Sequence, residues 1–366
     1  MSRPPESSAG PERTRARSFA GGDIVELAEQ AEDAVEDRRR NPLHRPNRQL
    51  FSGRYVEWVM LRSAALVVVL SLTFATAALV SDRAGGVTLP TRNGELVFSS
   101  VRVKNGNFDL YRMRADGSRL RRITSGAGFE RYPRFSPDGT TVGYVSNRTN
   151  PRSERSYELY ALRSTALRRL TSDRWIDDQL SWSPSGRHIA FASNRGSGRF
   201  GIWTMKANGA DMRRLTSNGA IPAWSPDGET IAFVRSTGPT DEIWLMDAEG
   251  SNERRLTVAP HDGLNNYAHD SMPEWAPSGE ELAFVRSYRG RTDIYATSLD
   301  GDLRRLTFEA GSHEWPAWSP DGKRIVYVSS LGRRQAINLM SANGAGKRRV
   351  IGGAVAYAYP DWQPVR

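Results

Sequence analysis

Acidic and aromatic residues recur just ahead of a motif that repeats along the C-terminal three quarters of the 366-residue chain. Carboxylates placed around one opening would create a negative potential that favours a cationic peptide segment or a metal ion. The sequence therefore predicts an acidic and aromatic recognition surface. Its candidate ligand-binding residues are Glu130, Arg131, Tyr132, Asp177, Asp178, His269, Asp270, His313, Glu314, Trp315 and Tyr357.

The segment 258–272 combines two of the five histidines, His261 and His269, with Asp262 and Asp270. Such side chains can bind a transition metal or act as an acid and a base. The segment offers no fixed ligand spacing, and the chain contains no cysteine for a thiolate site. We predict a recognition loop here, with no catalytic residue, no bound metal and no cofactor.

A β-hairpin pattern must position these residues. The stretch 222–233 reads Pro-Ala-Trp-Ser-Pro-Asp-Gly-Glu-Thr-Ile-Ala-Phe, which predicts a short strand, a tight turn and a return strand. Proline pre-sets φ at the second turn position, and glycine supplies the positive φ that returns the chain. The turn prolines are at positions 137, 184, 226, 277 and 320. A period near 45 residues with strand-like content is typical of propeller blades.

Each repeat continues with two further predicted strands, the last of which carries Arg-Arg-Leu-Thr or a near copy. These copies begin at positions 121, 168, 213, 254, 304 and 348. The chain has six such strands but five complete first hairpins, so the segment around Trp362 is expected to complete the unit that begins near Gly94. We predict an all-β fold over 94–366, a six-bladed β-propeller closed by the C-terminal strand.

The paired arginines of the last strands allow two interpretations. They could protect the exposed outer edge of each blade and keep the domain soluble. Alternatively, they could form a basic girdle that contacts anionic headgroups or wall polymers at short range.

The repeat is similar to that of the TolB family, in which proline, any residue and tryptophan precede Ser-Pro-Asp-Gly, a hydrophobic strand and a closing Arg-Leu-Thr-like strand. The similarity covers residues 94–366 and implies a six-bladed propeller used as a binding surface. TolB itself is a partner in cell-envelope complexes, so the similarity implies a role of this kind. The chain ahead of Gly94 is not expected to hold the folded N-terminal domain that TolB carries.

The first 93 residues predict a membrane anchor. Residues 63–80 form 18 positions without a charge, enough for a helix that spans the hydrocarbon core. Residues 38–62 hold seven arginines and one acid, which places the N-terminal side in the cytoplasm. We predict a mostly disordered cytoplasmic tail over 1–62 with a short amphipathic helix near 23–40, and a linker over 81–93.

These observations together predict a single-pass membrane protein with an extracytoplasmic propeller, on the periplasmic or cell-wall side. It would act as a binding or scaffold protein that recognises a protein, a peptide or a cell-wall polymer. Residues 23–40 would recruit a cytoplasmic partner. No nucleic-acid-binding motif is present. The alternative is a lyase-like propeller enzyme that acts on an envelope or plant-type polysaccharide through histidines and acids at the channel mouth.

Overall fold

The computed structural model describes residues 92–101, 106–153, 156–263 and 266–365. Among these residues, no helix has the length and apolar character needed to span a bilayer. The predicted cytoplasmic tail, the membrane-spanning helix at 63–80 and the linker up to residue 91 lie outside the described residues.

The described residues form 24 strands and no helix, which confirms the predicted all-β class. In chain order the strands are β1 (Arg92–Ser100), β2 (Asp109–Met113), β3 (Arg121–Arg122), β4 (Glu130–Phe135), β5 (Thr141–Ser146), β6 (Glu158–Arg163), β7 (Ala166–Arg169), β8 (Asp177–Trp182), β9 (His188–Ser193), β10 (Gly201–Lys206), β11 (Arg213–Thr216), β12 (Ala220–Trp224), β13 (Thr230–Ser236), β14 (Asp241–Asp247), β15 (Arg254–Arg255), β16 (His269–Trp275), β17 (Glu281–Tyr288), β18 (Arg291–Ser298), β19 (Leu303–Arg305), β20 (Ser312–Trp318), β21 (Arg324–Leu331), β22 (Arg334–Ser341), β23 (Arg348–Gly353) and β24 (Tyr357–Val365).

The strands associate in antiparallel groups of four. The group β24-β1-β2-β3 contains both ends of the described chain, and β4–β7 and β8–β11 follow it. The groups β12–β15, β16–β19 and β20–β23 are joined by single parallel residue pairs. As the sequence predicts, the C-terminal strand completes the first group, with Trp362 opposite Leu96 and Tyr357 opposite Ser100.

In four groups the first hairpin is held by a turn serine, at positions 136, 183, 225 and 319. Ser225 Oγ accepts a hydrogen bond from the Thr230 N–H at 2.9 Å and donates to the Asp227 carboxylate. The N–H of Gly228 donates to the Ser225 carbonyl at 3.0 Å, and the glycine has φ of +81°. A hydroxyl that both accepts and donates therefore satisfies the turn locally, which explains the recurrence of Ser-Pro-Asp-Gly.

The Arg-Arg-Leu-Thr strands are fixed by two further recurring contacts. In four groups the second arginine pairs with a carboxylate at the start of the neighbouring strand, at Arg122–Asp109, Arg169–Glu158, Arg255–Glu242 and Arg305–Asp293. In the same groups the threonine Oγ1 accepts a backbone N–H from the residue after that acid. These contacts favour the structural interpretation of the arginine pairs over the basic girdle.

The first arginine of the pair links neighbouring groups in four places. It donates to a carbonyl in the next group's turn at Arg168–Asn208 (2.7 Å), Arg213–Glu249 (3.3 Å), Arg304–Ala342 (3.2 Å) and Arg348–Ala115 (3.2 Å). The last of these joins β23 to the turn after β2. Apolar residues from β1 and β2 also share one core cluster with residues of β21 and β22. The first and last groups of the chain are therefore packed against each other.

Gly117 provides a test of that packing. A Cβ at this position would lie 2.9 Å from the Val350 carbonyl oxygen of β23, whereas Gly238 has the same φ of +88° and open space around its Cα. Gly238→Ala should cost about 1 kcal/mol of unfolding free energy through backbone strain. Gly117→Ala should cost about 1–3 kcal/mol more because a carbonyl must move. Urea unfolding of both variants measures the difference, and equal losses would contradict the contact.

Candidate functional site

The first strands of all six groups surround one space, which we call the central channel. A cavity of about 230 Å³ in this channel is lined by residues of β4, β8, β12, β16, β20 and β24. We call the end where these strands begin the loop end, because the connections from the preceding groups arrive there. The opposite end, where the Ser-Pro turns lie, is called the turn end.

Each of these six strands carries a β-bulge at an equivalent position. The bulged residues have positive φ and are Tyr132 (50°), Gln179 (52°), Ile221 (51°), Met272 (56°), Trp315 (53°) and Tyr359 (54°). The strand register shifts at each of them. Bulges re-aim side chains and are frequent beside binding sites. The backbone is therefore repeated while the six side chains are of five different types, which is the arrangement expected of a recognition surface.

Three of these bulged residues form an aromatic cluster. The ring centroids of Tyr132 and Tyr359 are 4.0 Å apart, and those of Trp315 and Tyr359 are 4.8 Å apart. The buried Nε1 of Trp315 has no hydrogen-bond acceptor among the described residues. Burial raises the pKa of Tyr132 and of Tyr359, so both phenols are neutral at physiological pH. The cluster places aromatic rings and one buried donor, unpaired within the described part of the chain, at the loop end.

Three predicted rim carboxylates are instead part of the fold. Each is fully buried and paired with an arginine beyond or at the end of the next strand, at Glu130–Arg148 (2.9 Å), Asp177–Arg195 (2.6 Å) and Asp270–Arg286 (2.6 Å). Burial raises the pKa of all three carboxyl groups, although the arginines oppose that shift. The expectation of an open acidic mouth therefore needs correction at these positions, because the charges are matched inside the protein.

Asp178 and Arg131 lie nearer the channel. Asp178 Oδ2 is 3.7 Å from Arg131 Nη2, and the side chains of Asp178 and Arg131 are 15% and 8% exposed, respectively. The Arg131 guanidinium stacks over the Tyr157 ring at 3.7 Å from its centroid. Burial raises the pKa of Asp178. A loose ion pair beside the aromatic cluster can exchange its partner for a ligand group more readily than the short buried pairs can.

The remaining predicted residues occupy separate positions. His269 Nδ1 is 2.8 Å from Asp241 Oδ2, and His313 is buried with Nδ1 3.3 Å from Asp293 Oδ1. Burial lowers the pKa of His313. Burial also raises the pKa of Glu314 to about 7. Among the described residues, no group of three or more histidine, aspartate or glutamate side chains is arranged to hold a metal ion.

Tyr357 is a core residue and does not lie on the rim. It is 1% exposed, and its ring centroid is 6.0 Å from that of Phe98. The bulged residue two positions later, Tyr359, takes the place on the channel that the sequence analysis assigned to Tyr357. The sequence contained a signal for this assignment. Tyr359 and Tyr132 each precede the same pattern of proline, any residue and an aromatic residue, so the two tyrosines occupy equivalent positions in their repeats.

The turn end holds a charged cluster that the sequence analysis did not predict. Arg134 Nη2 is 3.0 Å from Glu274 Oε2, and Arg134 Nη1 is 3.4 Å from Asp361 Oδ1. Burial raises the pKa of Glu274 to about 7 and also raises that of Asp361. These side chains come from β4, β16 and β24, each one residue ahead of the aromatic residue of its strand.

Antiparallel four-stranded groups arranged around a common channel define the protein as a β-propeller. It belongs to the TolB β-propeller family: the sequence model of the TolB beta propeller domain matches residues 151–263 and 217–365, more than half of the chain. The recognised resemblance to TolB repeats is thereby confirmed.

Individual relatives support the same assignment. An uncharacterized protein of Agrobacterium fabrum is 28% identical over 202 residues, which cover 52% of this chain and 51% of that protein. The Tol-Pal system protein TolB of Desulfosudis oleivorans is 33% identical over 118 residues, 31% of this chain and 25% of that protein. The crystal structure of TolB from Acinetobacter baumannii superimposes with a TM-score of 0.61 and 20% identity, covering 74% of this chain and 67% of that one. The chain thus spans about half of the length of the first of these curated relatives and a quarter of the second.

The buried ion pairs predict a large stability difference between two carboxylates. Asp270→Asn leaves the Arg286 guanidinium buried without a counter-charge and should cost about 3–5 kcal/mol of unfolding free energy. Glu281→Gln removes an exposed partner of Arg304 and should cost less than about 1 kcal/mol. Chemical denaturation of both variants measures these losses. Similar small losses would mean that Asp270 is available for a ligand, as the sequence analysis expected.

Proposed function

We propose that this protein is a membrane-anchored, non-catalytic binding propeller that recognises a protein or cell-envelope component at the loop end of a closed ring of six blades. Membership of the TolB β-propeller family supports a binding or scaffold role. The single observation that carries the proposal is the set of six bulged residues, which places side chains of five types on one repeated backbone around the channel.

The chemistry of the loop end suits a peptide segment of a protein partner. The cluster of Tyr132, Trp315 and Tyr359 provides a flat apolar contact, and aromatic anchors of this kind dominate protein interfaces. The Trp315 Nε1 is buried and unpaired among the described residues, so a partner that moves the rings apart would supply a backbone carbonyl as its acceptor. Asp178 and Arg131 can bind a charged or amide side chain next to that contact. His269 lies on the rim of the same end.

The topology favours the loop end as the surface that faces away from the membrane. Strand β1 begins at the turn end, since Arg92 pairs with Val365 and the Asn93 side chain accepts the N–H of Asp321 at 3.2 Å. A linker from the membrane would therefore have to approach that end. We take residues 63–80 as the membrane-spanning helix and residues 1–62 as cytoplasmic. The turn end would then face the bilayer, and the loop end would be exposed to partners.

A crosslinking pull-down with conservative variants tests the recognition surface. We expect Asp178→Asn combined with Trp315→Phe to lose the partners that the wild-type protein captures from membranes, because the charge and the Nε1 donor are removed while a side chain of the same shape as aspartate and an aromatic ring remain. Arg214→Gln, at an exposed residue of outer strand β11, should retain them. Thermal melts establish that all three proteins fold alike. Identical partner sets for the double variant and the wild type would exclude the loop end.

The proposed topology can be tested separately because the chain has no cysteine. Single cysteines introduced as Ser7→Cys in the tail and Ser217→Cys on the exposed propeller surface report the two sides of the membrane. In spheroplasts, a membrane-impermeant maleimide should label position 217, and it should label position 7 only after lysis. Labelling of position 7 before lysis would contradict the cytoplasmic tail.

A further inference from the structure

The cavity at the turn end has the properties of a binding site of its own. Among the residues that line it, the charged ones are Arg134, Glu274 and Asp361, so two carboxylates face one guanidinium. Their side chains are 31%, 21% and 13% exposed, respectively. A partly dehydrated site with one carboxylate in excess attracts a second cation more strongly than the same charges would in water.

The two carboxylates are not equivalent. Asp361 Oδ2 accepts a hydrogen bond from the backbone N–H of Phe135 at 2.8 Å, and its other oxygen faces Arg134. Both oxygens of Asp361 therefore have partners within the protein. Glu274 contacts Arg134 through Oε2 at 3.0 Å. Arg134 belongs to β4 and Glu274 to β16. Around the channel, β8 and β12 lie between these two strands on one side, and β20 and β24 lie between them on the other. The guanidinium therefore bridges opposite walls, and Glu274 is the group that a second cation would meet.

The walls of the cavity suit a basic side chain. Four tryptophans line it, at positions 182, 224, 275 and 318, together with four of the five turn prolines. Aromatic faces bind guanidinium and ammonium groups, and flat apolar walls accept the aliphatic stem of arginine or lysine. Trp318 is 5% exposed, and its Nε1 has no acceptor among the described residues, so an incoming peptide carbonyl could satisfy it.

The volume restricts the ligand. A drug-sized ligand occupies a pocket of about 300–1,000 Å³, whereas this cavity measures about 230 Å³. It can admit one long side chain with its adjoining backbone. The described residues around it offer two carboxylates and thus no set of three metal ligands.

We propose that the turn-end cavity binds an arginine or lysine side chain presented by an extended peptide segment of a partner protein. Glu274 receives the cation, Asp361 and Arg134 fix the position of Glu274, and the tryptophans enclose the aliphatic stem. This site lies at the opposite end of the channel from the aromatic cluster of Tyr132, Trp315 and Tyr359, and it functions independently of that cluster.

The protonation of Glu274 makes binding depend on pH. Burial raises the pKa of Glu274 to about 7, and the titratable groups that face it are Arg134 from β4 and Asp361 from β24. The cation binds the ionised carboxylate, so binding releases a proton and affinity rises as pH increases through 7. With a pKa of about 7, the ionised fraction rises roughly tenfold between pH 6 and pH 8, and the affinity should follow.

Calorimetric titration of the full chain tests the site with a defined probe, acetyl-Gly-Arg-Gly-amide. Its control replaces arginine with citrulline, which has nearly the same shape without the charge. We expect the arginine peptide to bind at least about tenfold more tightly than the citrulline peptide at pH 8 and to lose about tenfold in affinity at pH 6. Equal binding of the two peptides to the wild-type protein, or no binding of either peptide, would overturn the proposal.

Variants then locate the site. Glu274→Gln should abolish both the preference for arginine and the pH dependence, whereas Glu280→Gln, an exposed acid beside the next turn, should leave them unchanged. Asp178→Asn at the loop end should also leave the arginine preference and the pH dependence unchanged. This variant therefore distinguishes a failure of the turn-end site from a failure of the proposed recognition at the loop end. Retained arginine preference in a folded Glu274→Gln protein would overturn the assignment.

Discussion

The pairing of the C-terminal strand β24 with β1 is the constraint on which the rest of the structure depends. It brings residues 92–100 and 357–365 into one group and places the start of β1 at the turn end of the channel. It also supplies Tyr359 to the aromatic cluster and Asp361 to the charged cluster. Both candidate binding sites therefore exist only when the last strand is in place.

Repeated charge pairs then allow the remaining residues to vary. Buried acids such as Asp177 and Asp270 pair with arginines near the ends of the second strands, and the outer arginines pair with acids of the third strands. Pairs of this kind contribute little net free energy but are costly to break, so they fix position more than they add stability. With the blades held in this way, the residues that face the channel are free to serve recognition.

Much of the fold follows from sequence patterns because the repeated turn chemistry is local. The spacing of the Ser-Pro turns and of the Arg-Arg-Leu-Thr segments predicts the strands. The segment around Trp362 has no hairpin of its own, and the group that begins near Gly94 lacks a first strand, so the sequence predicts that the two pair. The site is less accessible to such reasoning, because a carboxylate on a loop has the same sequence signature whether free or paired. The partners of Glu130 and Asp177 lie 18 residues downstream, a recurring separation that could have indicated pairing. Arg134, Glu274 and Asp361 come together only in three dimensions.

The most direct test of the central claim, that recognition occurs on the channel and not on the outer edge of the blades, is site-specific photo-crosslinking in living cells. A photoreactive phenylalanine analogue is placed at position 315, on the channel, or at position 167, an exposed residue of outer strand β7. The account predicts covalent adducts with a partner from position 315 and none from position 167. Adducts from position 167 alone would contradict it and assign recognition to the outer edge.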